Sequence, residues 1–121
     1  MRWLNASCCL FITSFFISGC FNSHTELLEK KCHEGDSAAC SQAANNYFLG
    51  IDENGEKVEV SINRSHTLYL KACELKDGKI CDKIGQDFLH YESGINPDLV
   101  SALEFFEKGC NLDYGPSCTH L

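Results

Sequence analysis

A chain of 121 residues is long enough for one domain with a modest core. Its formal net charge of -7, with 22% charged residues, argues against nucleic acid as a partner and against charge-driven adhesion to an acidic membrane surface. The unusual figure is nine cysteines, a density that means disulfides in an oxidising compartment or metal in a reducing one.

In chain order, the first element is "MRWLNASCCLFITSFFISGC". It has a positive start at Arg2, an apolar run from Ala6 to Ile17, and small residues at Ser18 and Gly19 before Cys20. The run is too short for a comfortable membrane span and has signal-peptide proportions. Ile17-Ser18-Gly19-Cys20 resembles the bacterial lipobox, in which cleavage precedes a cysteine that is then acylated. On this reading residues 1–19 are a lipoprotein signal peptide and residues 20–23 an acylated N-terminus and linker. Cys20 carries the lipid, and Cys8 and Cys9 leave with the signal. An ordinary signal peptide cut elsewhere is the alternative.

Six cysteines remain: Cys32, Cys40, Cys73, Cys81, Cys110 and Cys118. An even number in a secreted domain reads as a disulfide framework, and the repeated C-x7-C spacing favours pairing within each frame. Zinc sites usually place their cysteines closer together, so no metal or other cofactor is expected. The frames "KKCHEGDSAAC", "KACELKDGKIC" and "KGCNLDYGPSC" begin 41 and 37 residues apart, a period in the range of helical-hairpin solenoids.

Each frame is expected to join two helices. A helix B ends at the first cysteine; in the second and third frames it starts at the N-cap residues Ser61 and Asp98. Its matched positions are Leu68 with Phe105, Tyr69 with Phe106, and Lys71 with Lys108, the basic pair falling where the helix dipole favours it. A helix A follows the second cysteine, with Ala43 matching Ile84, Ala44 matching Gly85 and Tyr47 matching Phe88. The small residue of that set lets a neighbour approach closely. The order is therefore B, A, B, A, B and a truncated start of A. The first repeat's four extra residues fall in "GIDENGEKVEVSIN", where a plain loop is favoured over a short β-hairpin turned at "ENGE".

The spacing has a mechanical explanation. Eight positions along one helix span roughly 12 Å, whereas a disulfide needs Cα atoms within about 7 Å. If each pair is bonded, the chain must reverse between its cysteines, and Gly35, Gly78 and Gly115 are the expected left-handed reversal points. Each closed loop contributes on the order of 2–3 kcal/mol in the chain-entropy model.

The pattern K-A-C-x4-G-x2-C-x2-L-G-x2-Y is matched by Lys71, Ala72, Cys73, Gly78, Cys81, Ile84 (for Leu), Gly85 and Phe88 (for Tyr). The pattern D-x3-A-x2-F-x2-K-x-C is matched by Asp98, Ala102, Phe105, Lys108 and Cys110. These stretches resemble Sel-one-like repeats of the disulfide-bridged Helicobacter cysteine-rich protein family, over residues 24–121. The resemblance implies an all-α, short right-handed solenoid of αα-hairpins. It also implies a β-lactam connection, since relatives are often labelled β-lactamases or penicillin-binding proteins. Departures occur at Ala44, in place of the glycine, and at Ser65, in place of the helix-B alanine. The last helix is barely begun, so an apolar face is expected to be left uncovered there.

Catalytic residues are not identifiable. No serine has lysine three residues on, and Ser61 has only Arg64, which cannot act as a base. His24, His33, His66, His90 and His120 are not clustered in sequence. The polar positions of helix A facing away from the core are the candidate binding residues: Asn45 with Asn46 in one repeat, and Gln86, Asp87 and His90 in the next. The expected function is a monomeric, lipid-anchored module in the bacterial envelope, on the periplasmic side or cell surface, holding a protein or peptide ligand or a peptidoglycan fragment. A β-lactam-binding protein or weak β-lactamase is the alternative implied by the resemblance. A degenerate structural paralogue is the third.

Overall fold

The computed structural model describes residues 23–90 and 94–121. The expected signal segment, the acylation site at Cys20 and residue Tyr91 lie outside the described residues. The rest is all-α, in the expected order: α1 His24–His33, α2 Ser37–Leu49, α3 Ile62–Glu74, α4 Gly78–Leu89, α5 Leu99–Asn111 and the short α6 Gly115–Thr119. Helices α1, α3 and α5 are the B helices; α2, α4 and α6 are the A helices.

Side-chain caps explain where the helices start. Ser61 accepts a hydrogen bond from the Arg64 N–H and Asp98 from the Val100 N–H, as their residue types predict. Ser23 and Glu26 form a reciprocal capping box on α1. Asp36 and Asp77 cap α2 and α4 by accepting from Ala39 and Ile80. The equivalent residue of α6, Tyr114, makes no side-chain cap bond, and that helix is only 5 residues long.

All three C-x7-C pairs are bonded: Cys32–Cys40, Cys73–Cys81 and Cys110–Cys118, with Cα atoms 4.5, 4.9 and 4.7 Å apart. Between them the chain reverses the same way each time. The residue before the A helix donates its N–H back to the B helix, as in Asp36 to Lys31, Asp77 to Ala72 and Tyr114 to Gly109. The left-handed residue is Gly35, Lys76 and Asp113 in turn (φ 106°, 75° and 63°). The expectation of a glycine at each reversal therefore holds only at Gly35. Counted from its cysteine, Gly35 is the third residue, whereas Gly78 and Gly115 are the fifth and open the next helix. Gly78 is small for a packing reason: a Cβ there would lie 3.1 Å from the Cβ atoms of Leu112 and Tyr114 in the following hinge.

The core runs along the stack through Leu28, Tyr47, Leu68, Tyr69 and Ile84, with buried alanines and cysteines between them. Packing is closest between each A helix and the B helix after it, α2 with α3 and α4 with α5; α3 and α4 pack less closely across their hinge. Gly85 is the point of nearest approach in the second pair, where the ring of buried Phe106 leaves no room for a side chain. The connections between these partners differ by four residues and close identically. The N-cap N–H of Ser61 reaches the carbonyl of Tyr47 at 2.9 Å, and that of Asp98 reaches Phe88 at 2.8 Å. The longer connection is the favoured loop with one addition, a single antiparallel bridge between Ile51 and Lys57.

Two predictions follow from this packing. Gly85→Ala should destabilise the fold by about 1–2 kcal/mol in chemical denaturation, because the new methyl would meet Phe106 at 2.6 Å. That overpacking outweighs the roughly 1 kcal/mol gained in helix propensity; a more stable variant would contradict this packing. Graded reduction followed by alkylation and mass spectrometry should label Cys110 and Cys118 first. Cys118 is exposed, whereas Cys32, Cys40 and Cys81 are wholly buried.

Candidate functional site

The repeat presents two surfaces. On the A helices, Asn45 and Gln86 occupy equivalent exposed positions of α2 and α4. Gln86 donates to Asp82 at 2.7 Å, and Asp87 is ion-paired with Lys83 at 2.7 Å. Asn46 is not part of a surface: it is buried and donates to Thr25 and Glu53, tying α1, α2 and the long loop together. His90 is exposed at the end of α4, where its N–H caps the Gln86 carbonyl. A shallow hollow of about 250 Å³ beside α4 is lined by Lys79, Asp82, Lys83, Gln86 and Tyr114.

Asp82 is the buried carboxylate of this face, and sequence reasoning did not single it out. It accepts from Ser117 at 2.7 Å on one oxygen and from Gln86 on the other, and His120 stands 3.7 Å away. Serine, histidine and aspartate thus converge, but not in a hydrolytic order. A nucleophilic serine must hydrogen-bond to the histidine that takes its proton. Here Ser117 donates to the carboxylate and is fully buried, while the His120 ring lies against Phe106, 4.6 Å between centroids. The arrangement docks α6 onto α4 and α5. The bare Gly109 backbone makes room for Ser117.

The second surface lies on the B helices. Between α1 and α3, Glu29 is the hub: it accepts from the Tyr47 hydroxyl at 2.9 Å and pairs with Arg64 at 3.3 Å, while the Arg64 guanidinium sits 4.8 Å over the Tyr47 ring. Burial first, and the Glu29 carboxylate second, push the Tyr47 phenol up to about 12. One repeat later the matched positions are Leu70, Phe88 and Ser101, and no such network forms. The corresponding groove between α3 and α5 is an apolar hollow of about 380 Å³, floored by Leu70, Cys73, Phe105 and Leu112 and rimmed by Glu74, Lys76, Lys108 and Asn111. Phe105 stacks on Phe88, 5.8 Å between centroids, and the Lys108 ammonium lies 4.5 Å over the Phe105 ring. Comparing residues three before one cysteine and nine before the next would have exposed this change in the sequence.

No protein-family model matches the chain. It is similar to cytochrome c oxidase assembly factor 7A of Xenopus laevis, 29% identical over 93 residues, which cover 75% of this chain and 39% of that protein. The chain therefore spans well under half the length of the relative it matches. This similarity corrects the expectations drawn from the bacterial resemblance. The relative is a frog oxidase assembly factor, so the assignment to the Helicobacter cysteine-rich family is overturned. So are the envelope-lipoprotein function, its β-lactam alternative and the bacterial envelope location. The physical reason is that the quoted motifs describe a mechanism more than a lineage. A lysine in the last helical turn, a cysteine on each side of the hinge and a small residue at the helix crossing are what a stapled helical hairpin needs in any organism.

His66, on α3, supplies a test of this packing. Its ring meets Phe88 edge-on at 5.9 Å, and its Nδ1 is buried with no hydrogen-bond partner among the described residues. Burial holds it below its ordinary 6.5; Asp87 opposes that shift and Lys83 reinforces it. The unfolded chain then binds the proton more readily, so this stability is present above about pH 6.5 and is lost as pH falls towards the folded value. Leu103 occupies the matched position of α5. His66→Leu should therefore flatten the decline in melting temperature between neutrality and about pH 5; an unchanged decline would rule His66 out as its source.

Proposed function

We propose that the protein is a disulfide-stapled helical scaffold that binds a client polypeptide during assembly of a respiratory oxidase. The similarity to cytochrome c oxidase assembly factor 7A, extending over three quarters of this chain, is the observation that carries the reading. The architecture supports it. Three bonded hinges favour an oxidising compartment, where disulfides persist, and residues 1–19 are proposed as the segment that directs the chain there. Stacked helical hairpins offer long surfaces to another chain, and their chemistry is recognition rather than bond-making.

Deleting the gene in its host should lower the amount of assembled oxidase on native gels and the oxidase haem absorbance of membranes. Re-expression should restore both. A host whose oxidase level is unchanged by deletion would overturn the proposal.

A further inference from the structure

We propose that the hollow between α3 and α5 seats an apolar side chain of the client polypeptide flanked by carboxylates. This deepens the assembly-factor reading and rests on it only for the client being a protein. Two observations point to the site. The first is differentiation within a repeating structure: the hollow of the first B-helix groove, about 360 Å³, is lined by the Glu29–Arg64 ion pair that Tyr47 joins, whereas the second, of similar size, has Leu70 in place of Glu29 and an apolar floor. Such a hollow, with a few polar groups at its edge, has the form of a pocket for an apolar group held in one orientation.

The second observation is charge. The chain carries a net charge of -7, yet the rim of this hollow presents two ammonium groups, Lys76 and Lys108, against one carboxylate, Glu74. Neither lysine forms an ion pair among the described residues. Lys76 is also held in place by its backbone, because it is the left-handed residue of the hinge. Lys108 is held over the Phe105 ring that floors the hollow. Both cations are thus presented at the edge of the apolar floor, where a carboxylate beside a bound side chain would meet them.

The test uses the oxidised protein and two fluorescein-labelled peptides, Glu-Leu-Phe-Glu-Glu-Leu and its counterpart with lysine in place of each glutamate. The acidic peptide should bind more tightly, and its amide-shift perturbations should centre on Leu70, Phe105, Lys108 and Leu112. Lys76→Glu with Lys108→Glu should weaken it by about tenfold or more. Both lysines are exposed, so the melt should fall only slightly, by what the Lys108 contact with Phe105 and its place in the last turn of α5 contribute. If the melt drops further, Lys108→Gln alone is read in its place, with a severalfold loss expected. Equal binding of the two peptides, shifts centred elsewhere, indifference to the substitutions, or uptake of dodecanoate without uptake of the acidic peptide would each overturn the site. The host assay keeps the two proposals apart. An oxidase unaffected by deletion removes the assembly reading and leaves the peptide result standing, whereas full restoration by the double charge-reversal variant removes the site alone.

Discussion

The rest of this structure depends on the covalent closure of its hinges. Each disulfide joins a B helix to the A helix that follows, and at α3 and α4 the two pack less closely than either does with its other partner. The units that hold themselves together by burial are α2 with α3 and α4 with α5. The Cys73–Cys81 bond joins one such unit to the next, where packing is thinner, and the outer bonds attach α1 and α6 to the ends. In a chain this short, whose core is largely alanine, cysteine and a few large side chains, the loop-closure contribution of about 2.5 kcal/mol per bond is comparable with burying one large residue. The left-handed conformation is kept at every hinge, but the residue that adopts it is glycine only at Gly35. Lys76 adopts a left-handed backbone at a cost of about 1 kcal/mol that a glycine would have avoided.

Much of the architecture was legible before any coordinates. The threefold cysteine spacing demanded a reversal, the N-cap types at Ser61 and Asp98 marked helix starts, and the small residue at Gly85 marked a close crossing. All three are local chemistry with a fixed geometric consequence. The reversal point itself was misplaced at two hinges, because glycine signals two different needs. Gly35 supplies a positive φ, whereas Gly78 supplies the absence of a side chain against the neighbouring hinge. Distinguishing them requires counting from the cysteine, which carries the register.

The surface was less legible. Asn45, Gln86 and His90 were placed on an outward face by helical spacing, and all three are exposed. Spacing alone did not reveal that Asn46 turns inward to a loop 7 residues away, or that Gln86 serves the buried Asp82. The partners of Asn46, and the Ser117 hydroxyl that covers Asp82, come from other elements, while Gln86 meets Asp82 one turn away on the same helix. Likewise, the sequence motifs that imply a stapled hairpin were read as a bacterial lineage, and similarity to a vertebrate assembly factor corrected that reading. The physical content of a motif, here a hinge and a crossing, survives such a correction; the history attached to it does not.

The paired closing bonds, Ser61 to Tyr47 and Asp98 to Phe88, separate what the connection must do from how long it is. The chain leaves and re-enters the stack at fixed points, and the four additional residues of the first repeat are folded outside them. Because the entropy of a surface loop rises only logarithmically with length, roughly 0.6 kcal/mol per doubling, this stretch is a natural insertion port. A fluorophore tag or a grafted epitope placed near Gly55, at the exposed tip, would report on the protein without moving the helices beneath it.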